Sequence, residues 1–212
     1  MDGNELAAGV TVDAADLPAR APRRWSRTVK TRASILAAAR EVFLEHGFAE
    51  ANVSDVVDRS GLSVGSIYHH FGGKAELYVA LWEDHEEALH DASSRAIQAE
   101  RAAGEQDPLQ LFIAGARAYL ERAWFDHAMA RVFLSGDSPP GFEALRRARG
   151  QDWIRENAQL LRAADEPVAR VLVLVLTSIV GDGAREVCGL DSRSEAEQII
   201  EATLGFIHKV AS

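Results

Sequence analysis

NVSDVVDRSGLSVGSIYHHFGGKAEL, residues 52–77, holds two short helical patterns separated by a turn that contains glycine. Asn52, with Asp55 three residues later, is typical of a helix start in which short polar side chains take the free amides of the first turn. Gly61 ends this helix after about two turns, and Ser63 is placed to cap the next one. Two short helices joined by such a turn predict a helix-turn-helix.

The sequence on either side of this pair also has a helical pattern. From Thr31 to Gly47, apolar residues recur at helical spacing. After Lys74, breaks rich in glycine and proline divide the chain, and we predict helices near residues 75–102, 108–123, 125–135, 142–163, 167–188 and 194–210. The predicted fold class is therefore all-α, with three N-terminal helices that contain the helix-turn-helix and about six more helices behind them.

The valine-rich segment 168–180 could be taken for a buried strand, but its length and the Pro167 start favour a helix. Its most apolar run, residues 171–180, is about half the roughly 20 residues that cross a bilayer, and charged residues flank it. We interpret it as a core helix and expect no membrane partner.

Residues 1–20 are small, acidic and aperiodic, which predicts a disordered tail, and a basic arm (APRRWSRTVKTR, residues 21–32) follows. The tail has neither the basic start nor the apolar run of a secretory signal. The single cysteine, Cys188, cannot form an internal disulfide. We therefore expect a cytoplasmic protein.

The charge is divided unevenly along the chain. The formal net charge is −9, which by itself argues against a nucleic-acid partner. Residues 17–74, however, hold nine basic side chains against five acidic ones. This division predicts an anion-facing segment at the front and an acidic body behind it.

Three kinds of site could explain residues 61–77: a phosphate loop, a metal site or a DNA-reading helix. Adjacent helical side chains diverge by about 100°, so His69 and His70 do not converge on a metal. We find no phosphate-loop motif. If the second short helix enters a DNA major groove, its start must be small or polar, which Ser63, Gly65 and Ser66 satisfy.

The span from Arg32 to Leu77 resembles the DNA-binding domain of the TetR family of bacterial transcriptional repressors. The resemblance lies in ILAAAREVFLEHGF at 35–48 and in residues 52–77 as a whole. Two positions depart from the family pattern. Asn52 stands where the family more often has Thr or Ser, and Gly72-Gly73 replaces a usually more polar pair.

The resemblance implies an all-helical homodimer with a DNA-reading head and an effector-binding body. We expect residues 1–24 to form the tail and arm, 25–75 the DNA-binding domain, and 76–212 the effector-binding and dimerisation domain. The implied DNA-binding residues, with Asn52 and Lys74 on phosphates, are Asn52, Ser63, Val64, Gly65, Ser66, Tyr68, His69 and Lys74. The alternative for Tyr68 and Gly65 is a packing role, and His70 is expected to face inward.

Aromatic and polar-tipped residues gather in the middle helices, as the wall of a pocket between bundle helices requires. The candidates are Trp82, Phe112, Tyr119, Trp124, Phe125, His127, Met129, Phe133 and Trp153. The alternative is that each one is a core residue. We interpret His85, His90 and the acidic residues around them as a solvated helix face, because i, i+5 spacing does not stack two histidines.

A wide apolar stripe near the C-terminus suggests a partner helix. It predicts a dimer interface made by Ile199, Ile200, Thr203, Leu204, Ile207 and Val210. A two-fold dimer would hold two reading helices about one DNA turn apart, roughly 34 Å, on a palindromic operator.

These patterns lead us to expect a transcriptional repressor that binds double-stranded operator DNA as a homodimer and is released by a small-molecule effector. An activator or a regulator without an effector is one alternative. A helical carrier or enzyme with a vestigial head is another. No catalytic motif, metal or cofactor is expected.

Overall fold

The computed structural model describes residues 23–163 and 166–211, with side chains from residue 28 onward. Over these residues the chain forms nine helices and no strand, which confirms the predicted all-α class. They are α1 (Arg23–Glu50), α2 (Val53–Ser60), α3 (Val64–His70), α4 (Lys74–Ala102), α5 (Pro108–Phe125), α6 (His127–Leu134), α7 (Phe142–Leu160), α8 (Pro167–Gly189) and α9 (Arg193–Ala211). The predicted tail lies outside the described residues.

The helix-turn-helix forms from the caps that the sequence indicates. The Asp55 carboxylate accepts a hydrogen bond from the Asn52 amide at 3.2 Å. Gly61 ends α2 in the left-handed region at φ 67°, where a side chain is disfavoured. Ser63 then caps α3, because its Oγ accepts from the Ser66 amide at 3.2 Å.

Both ends of α1 differ from the predicted helix. The helix begins at Arg23 rather than Thr31, and it is interrupted at Gly47, with φ 70° and ψ −170°. The amides of Phe48 and Ala49 beyond this kink donate to Oδ2 of Asp137, in the α6–α7 connection, at 2.7 and 2.9 Å. A Cβ on Gly47 would lie 2.7 Å from the same oxygen, so this close approach requires glycine.

The core of the three N-terminal helices continues into the rest of the molecule. Ile35, Val42 and Ile67 belong to the same buried cluster as Tyr78 of α4 and Phe133 of α6. The Tyr78 hydroxyl lies 3.1 Å from the carbonyl of Val132. A second cluster joins α5, α8 and α9. The head therefore packs directly against α4 and α6.

Helices α8 and α9 cross closely, because a Cβ on Gly183 would lie 2.7 Å from Oγ1 of Thr203. By length and composition alone, α8 could cross a membrane. It packs, however, against α5, α6, α7 and α9, and Asn157 of α7 donates to its Thr177 at 3.1 Å.

The predicted dimer stripe is largely used within the chain. Ile200, Thr203, Leu204 and Ile207 are buried against α5 and α8, with Ile207 at 0% exposure. These four residues therefore have no surface to offer a partner, and their assignment to an interface was wrong. Of the predicted set, Ile199 is half-buried and Val210 is exposed. The exposed apolar residues of α8 and α9 are Val168, Val171, Leu174, Val175, Phe206 and Val210.

Candidate functional site

One face of α3 is left uncovered by the rest of the chain. Ile67 is 0% exposed and anchors the helix, whereas Tyr68 beside it is 53% exposed. Ser63, Val64, Gly65 and His69 are exposed as well, and Ser66 is half-buried. The residues predicted to face DNA on this helix thus share its accessible side.

Lys74 has a different role from the predicted phosphate contact. Its Nζ donates to the carbonyls of Phe48, Ala49 and Ala51 at 2.7, 3.0 and 2.9 Å. An ammonium has three donors, and all of them are used here. The structure therefore makes Lys74 the clamp on the last turn of α1, with no donor left for a phosphate.

Other basic side chains of the head are also engaged within the chain. Arg32 lies over the Phe71 ring at 4.2 Å and donates to the carbonyl of His70 at 3.3 Å. Arg59 pairs with Glu45 and Glu41. Lys30, in contrast, is exposed and has no ion-pair partner among the residues described from 28 onward. Asn52 is exposed, and its Nδ2 donates to the Glu50 carbonyl at 3.0 Å.

A cavity of about 220 Å³ lies between five helices of the body, α4 to α8. Four of the nine predicted pocket residues line it: Trp82, Tyr119, Phe133 and Trp153. Tyr119 and Trp153 are stacked, with ring centroids 4.8 Å apart and an interplanar angle of 18°. Small residues of α5, α6 and α8 leave the space that these rings enclose.

The other five predicted pocket residues lie elsewhere. Phe112 and Met129 are buried core residues. Trp124, Phe125 and His127 line a separate groove that α5 forms with α9. Trp124 and His127 are stacked there, with ring centroids 4.4 Å apart. Aromatic composition alone does not distinguish these three environments.

The structure corrects the interpretation of the His85 region as a solvated face. His85 is 8% exposed, and with Glu86 and His90 it lines the cavity, as do Arg146, Arg149 and Arg185. Local spacing in the sequence gave no signal of this charged cluster, because its side chains come from α4, α7 and α8, which lie far apart along the chain. Within residues 23–163 and 166–211, no group of three or more His, Cys, Asp or Glu could hold a metal ion.

Cys188 also lines the cavity. Its thiol is buried, and burial raises its pKa to about 11. The neutral thiol is therefore the dominant form at physiological pH, and it is a poor nucleophile.

A carboxylate connects the cavity wall to the head. Asp126, between α5 and α6, lies with its Oδ2 3.2 Å from Nδ1 of His85 and 3.3 Å from Nη1 of Arg40 in α1. Burial raises the pKa of Asp126, but hydrogen bonds from His85 and Arg40 outweigh it and hold the pKa at about 2. The ionised carboxylate thus binds one group from the cavity and one from the head.

Residues 35–81 match the sequence model for bacterial regulatory proteins of the tetR family. The transcriptional activator FasR of Mycolicibacterium smegmatis is 27% identical over 196 residues, covering 89% of this chain and 87% of FasR. The transcriptional repressor AcnR of Corynebacterium efficiens is 44% identical over 55 residues, covering 26% of this chain and 29% of AcnR.

A solved transcriptional regulator from Aquifex aeolicus has the same fold, with a TM-score of 0.67 at 19% identity, over 85% of this chain and 99% of that one. The match to the family falls on the helix-turn-helix and the start of α4, and the likeness to FasR and to the fold extends through the body. Residues 35–81 of this chain thus match the tetR family of bacterial regulatory proteins, and the chain is similar to a transcriptional regulator over most of its length.

Proposed function

We propose that this protein is a cytoplasmic, homodimeric transcriptional repressor that binds a palindromic operator and is released by a small molecule. Residues 25–75 form its DNA-binding domain and residues 76–212 its effector-binding and dimerisation domain. The observation that carries the proposal is the uncovered face of α3, whose start is small and polar and whose next turn bears an exposed tyrosine.

We assign the DNA contacts by what each group can offer. The start of α3, from Ser63 to Ser66, lets the backbone approach the major groove. Tyr68 and His69, one turn on, can reach phosphates or base edges. Asn52 and Lys30 are exposed and supply phosphate contacts beside it. Lys74 supports the same surface indirectly, because it fixes the end of α1.

The dimer surface consists of the outer sides of α8 and α9. Val171, Leu174 and Val175 of α8 and Phe206 and Val210 of α9 are all exposed in the single chain. Large apolar side chains grouped on two neighbouring helices mark an interaction site. A two-fold arrangement of these helices would place two heads on one face of a duplex.

The cavity is the effector site, and Asp126 is the route by which it acts on the head. A ligand that contacts His85 would change how the imidazole and Arg40 share this carboxylate. Helix α4 also spans the distance, since it carries Lys74 at the head and His85 and Glu86 in the cavity wall. A ligand shifts the head only if it binds one arrangement more tightly than the other.

A mobility-shift titration tests the proposal. Protein is titrated onto DNA from around its own gene, with competitor DNA and a series of salt concentrations. We expect one fragment to be bound well above competitor, with an affinity that falls as salt rises. Tyr68→Ala should lose that preference. If no fragment is preferred to competitor DNA, the protein is not a sequence-specific regulator.

A second candidate is a transcriptional activator, because FasR, which matches over most of the chain, is named as one. Placing the footprint relative to the promoter separates the two, since a repressor overlaps the polymerase site. A carrier or enzyme with a vestigial head would show the same cavity but no preferred DNA fragment.

A further inference from the structure

Val64 is an apolar side chain that the fold does not bury. Among the large apolar residues from 52 to 73, which the structure describes in full, Val64 is 49% exposed and Tyr68 is 53% exposed. The others are buried in the core of the head or packed against it: Val53, Val56, Val57, Leu62, Ile67 and Phe71. Because residues i and i+4 are neighbours on a helix surface, Val64 and Tyr68 lie side by side on the uncovered face of α3.

A valine on a DNA-reading face can recognise one feature of a base pair. Its side chain has no hydrogen-bond donor or acceptor, so it gains nothing from the polar edges of guanine, cytosine or adenine. In the major groove, the apolar group that distinguishes base pairs is the C5-methyl group of thymine. Contact with this methyl group removes apolar surface of Val64 from water, which stabilises the complex.

Gly65, the next residue, lacks a side chain for no reason within the chain. It lies inside α3 and is not among the glycines with positive φ. A Cβ at this position would meet only Oγ of Ser63, at 3.9 Å, which is an ordinary contact. Glycine in a helix lowers stability relative to alanine. A glycine that the fold does not require, beside an exposed valine, indicates close approach of another molecule to this backbone.

We propose that each operator half-site presents the C5-methyl group of a thymine to Val64, and that Gly65 lets α3 come close enough for this contact. The inference rests on the proposed function, because it requires α3 to lie in the major groove. It makes Val64 a specificity-determining residue at one base pair of each half-site. A·T and T·A are distinguished there as well, since they present the methyl group at different places in the groove.

The competing choice is a contact between Val64 and a deoxyribose. A sugar also has apolar surface, but it carries no sequence information directly. The sugars lie at the rim of the major groove, whereas the base edges lie at the floor of a groove about 8.5 Å deep. The missing side chain of Gly65 favours the base edge, because that contact needs the closer approach.

Fluorescence anisotropy with deoxyuridine-substituted DNA tests the proposal. Each thymine of the fragment selected by mobility shift is replaced in turn by deoxyuridine, which lacks only the C5-methyl group. The proteins are the wild-type full chain, Val64→Ala, Gly65→Ala and the control Val29→Ala, a valine of α1 with 54% exposure. Thermal melting of each variant checks its fold.

We expect deoxyuridine at one position of a half-site to weaken binding of the wild type about fourfold, which is the effect of roughly one buried methyl group. Val29→Ala should show the same loss. Val64→Ala should bind the unmodified fragment more weakly and lose nothing further with deoxyuridine, because the methyl group no longer has its partner. The wild-type measurement needs no variant, so it tests the thymine contact even if Val64→Ala does not fold.

Gly65→Ala should change stability and DNA binding in opposite directions. We expect its melting temperature to rise by about 1–3 °C, because alanine has less conformational freedom to lose on folding. Binding of the fragment should weaken about fivefold or more, because the added methyl group must push a close interface apart. Binding equal to that of the wild type would overturn the close approach at Gly65.

The outcomes keep this inference apart from the proposed function. If a fragment is preferred to competitor DNA but no deoxyuridine weakens its binding, the thymine contact alone is overturned. The contact is also overturned if Val64→Ala keeps the full deoxyuridine loss, because another residue then reads the methyl group. Equal weakening of the fragment and of competitor DNA by Val64→Ala assigns the valine to a sugar. If no fragment is preferred, the proposed function fails and this inference fails with it.

Discussion

Arg40 of the head forms an ion pair with Asp126, and the same carboxylate lies 3.2 Å from Nδ1 of His85 in the wall of the cavity. The carboxylate is 12% exposed, so the pair is shielded from solvent on the Asp126 side. Arg40 is 38% exposed, so removal of its guanidinium would leave a largely buried carboxylate with one partner fewer. Asp126 therefore contacts one group from the cavity wall and one from the head.

The pKa of Asp126 predicts an acid-dependent contribution to stability. The folded pKa of about 2 lies below the usual value of 3.8, so the stabilisation is complete above about pH 5 and is lost as pH falls toward 2. We expect Asp126→Asn to lower the free energy of unfolding by about 2 kcal/mol at pH 7, and by less at each step from pH 4 to 3. Urea unfolding at each pH measures it.

Asp91→Asn is the control for this experiment. Asp91 makes an exposed i, i+4 pair with Arg95, so its loss should change stability by less than about 0.5 kcal/mol at any pH. A difference between wild type and Asp126→Asn that is the same at pH 7 and pH 3 would contradict the assignment of the ion pair.

Lys74 and Lys30 should separate a structural role from a DNA-binding role. Lys74→Ala leaves three carbonyls of the α1 end without their donor, and we expect it to cost about 1–3 kcal/mol of stability. Lys30→Ala should leave the melting temperature unchanged and reduce the salt dependence of DNA binding by about one unit of slope. If Lys74→Ala melts like the wild type and reduces the salt slope, Lys74 contacts phosphate after all.

Tyr68 and Ile67 are neighbours on α3 with opposite exposure. Tyr68→Ala should weaken operator binding, measured by fluorescence anisotropy, while the unfolding curve stays within about 0.5 kcal/mol of wild type. Ile67→Ala should instead destabilise the head by about 2–5 kcal/mol, because it opens a cavity in the core. Unfolding of Tyr68→Ala would show that the tyrosine is a packing residue.

Substitutions at exposed and at buried residues of α8 and α9 test the proposed dimer surface. Phe206 is 55% exposed and Ile207 is 0% exposed. Leu174→Glu with Phe206→Glu should give a folded monomer in analytical ultracentrifugation, because both charges would lie on the exposed apolar surface proposed for the dimer. Ile207→Asp should unfold the chain, since the carboxylate would be buried without a partner. A dimer that survives the double glutamate variant places the interface elsewhere.

Local signals in the sequence were enough for most of the fold. Start signals such as the Ser63 cap and Pro167 and turn residues such as Gly61 act within one helix turn, so the helix boundaries from α2 onward lie within a few residues of those predicted. The start of α1 was not predicted, because the basic residues before Thr31 have no apolar periodicity. Asp137, which holds the end of α1, comes from a loop far along the chain.

The errors at the candidate sites share one physical cause. Helix α9 has apolar residues on two sides, and periodicity does not tell which side the chain's own α5 and α8 cover. His85 has its partner 41 residues away, and Lys74 finds its acceptors 23 to 26 residues back. Local spacing carries no information on such contacts, which only the packed structure brings together.

The most direct test of the central claim is a hydroxyl-radical footprint of the full chain on the fragment selected by mobility shift. We expect two protected half-sites, related by a palindrome and centred about one DNA turn apart, roughly 34 Å. Tyr68→Ala should remove both. Protection that is no stronger on this fragment than on competitor DNA would contradict a sequence-reading dimer.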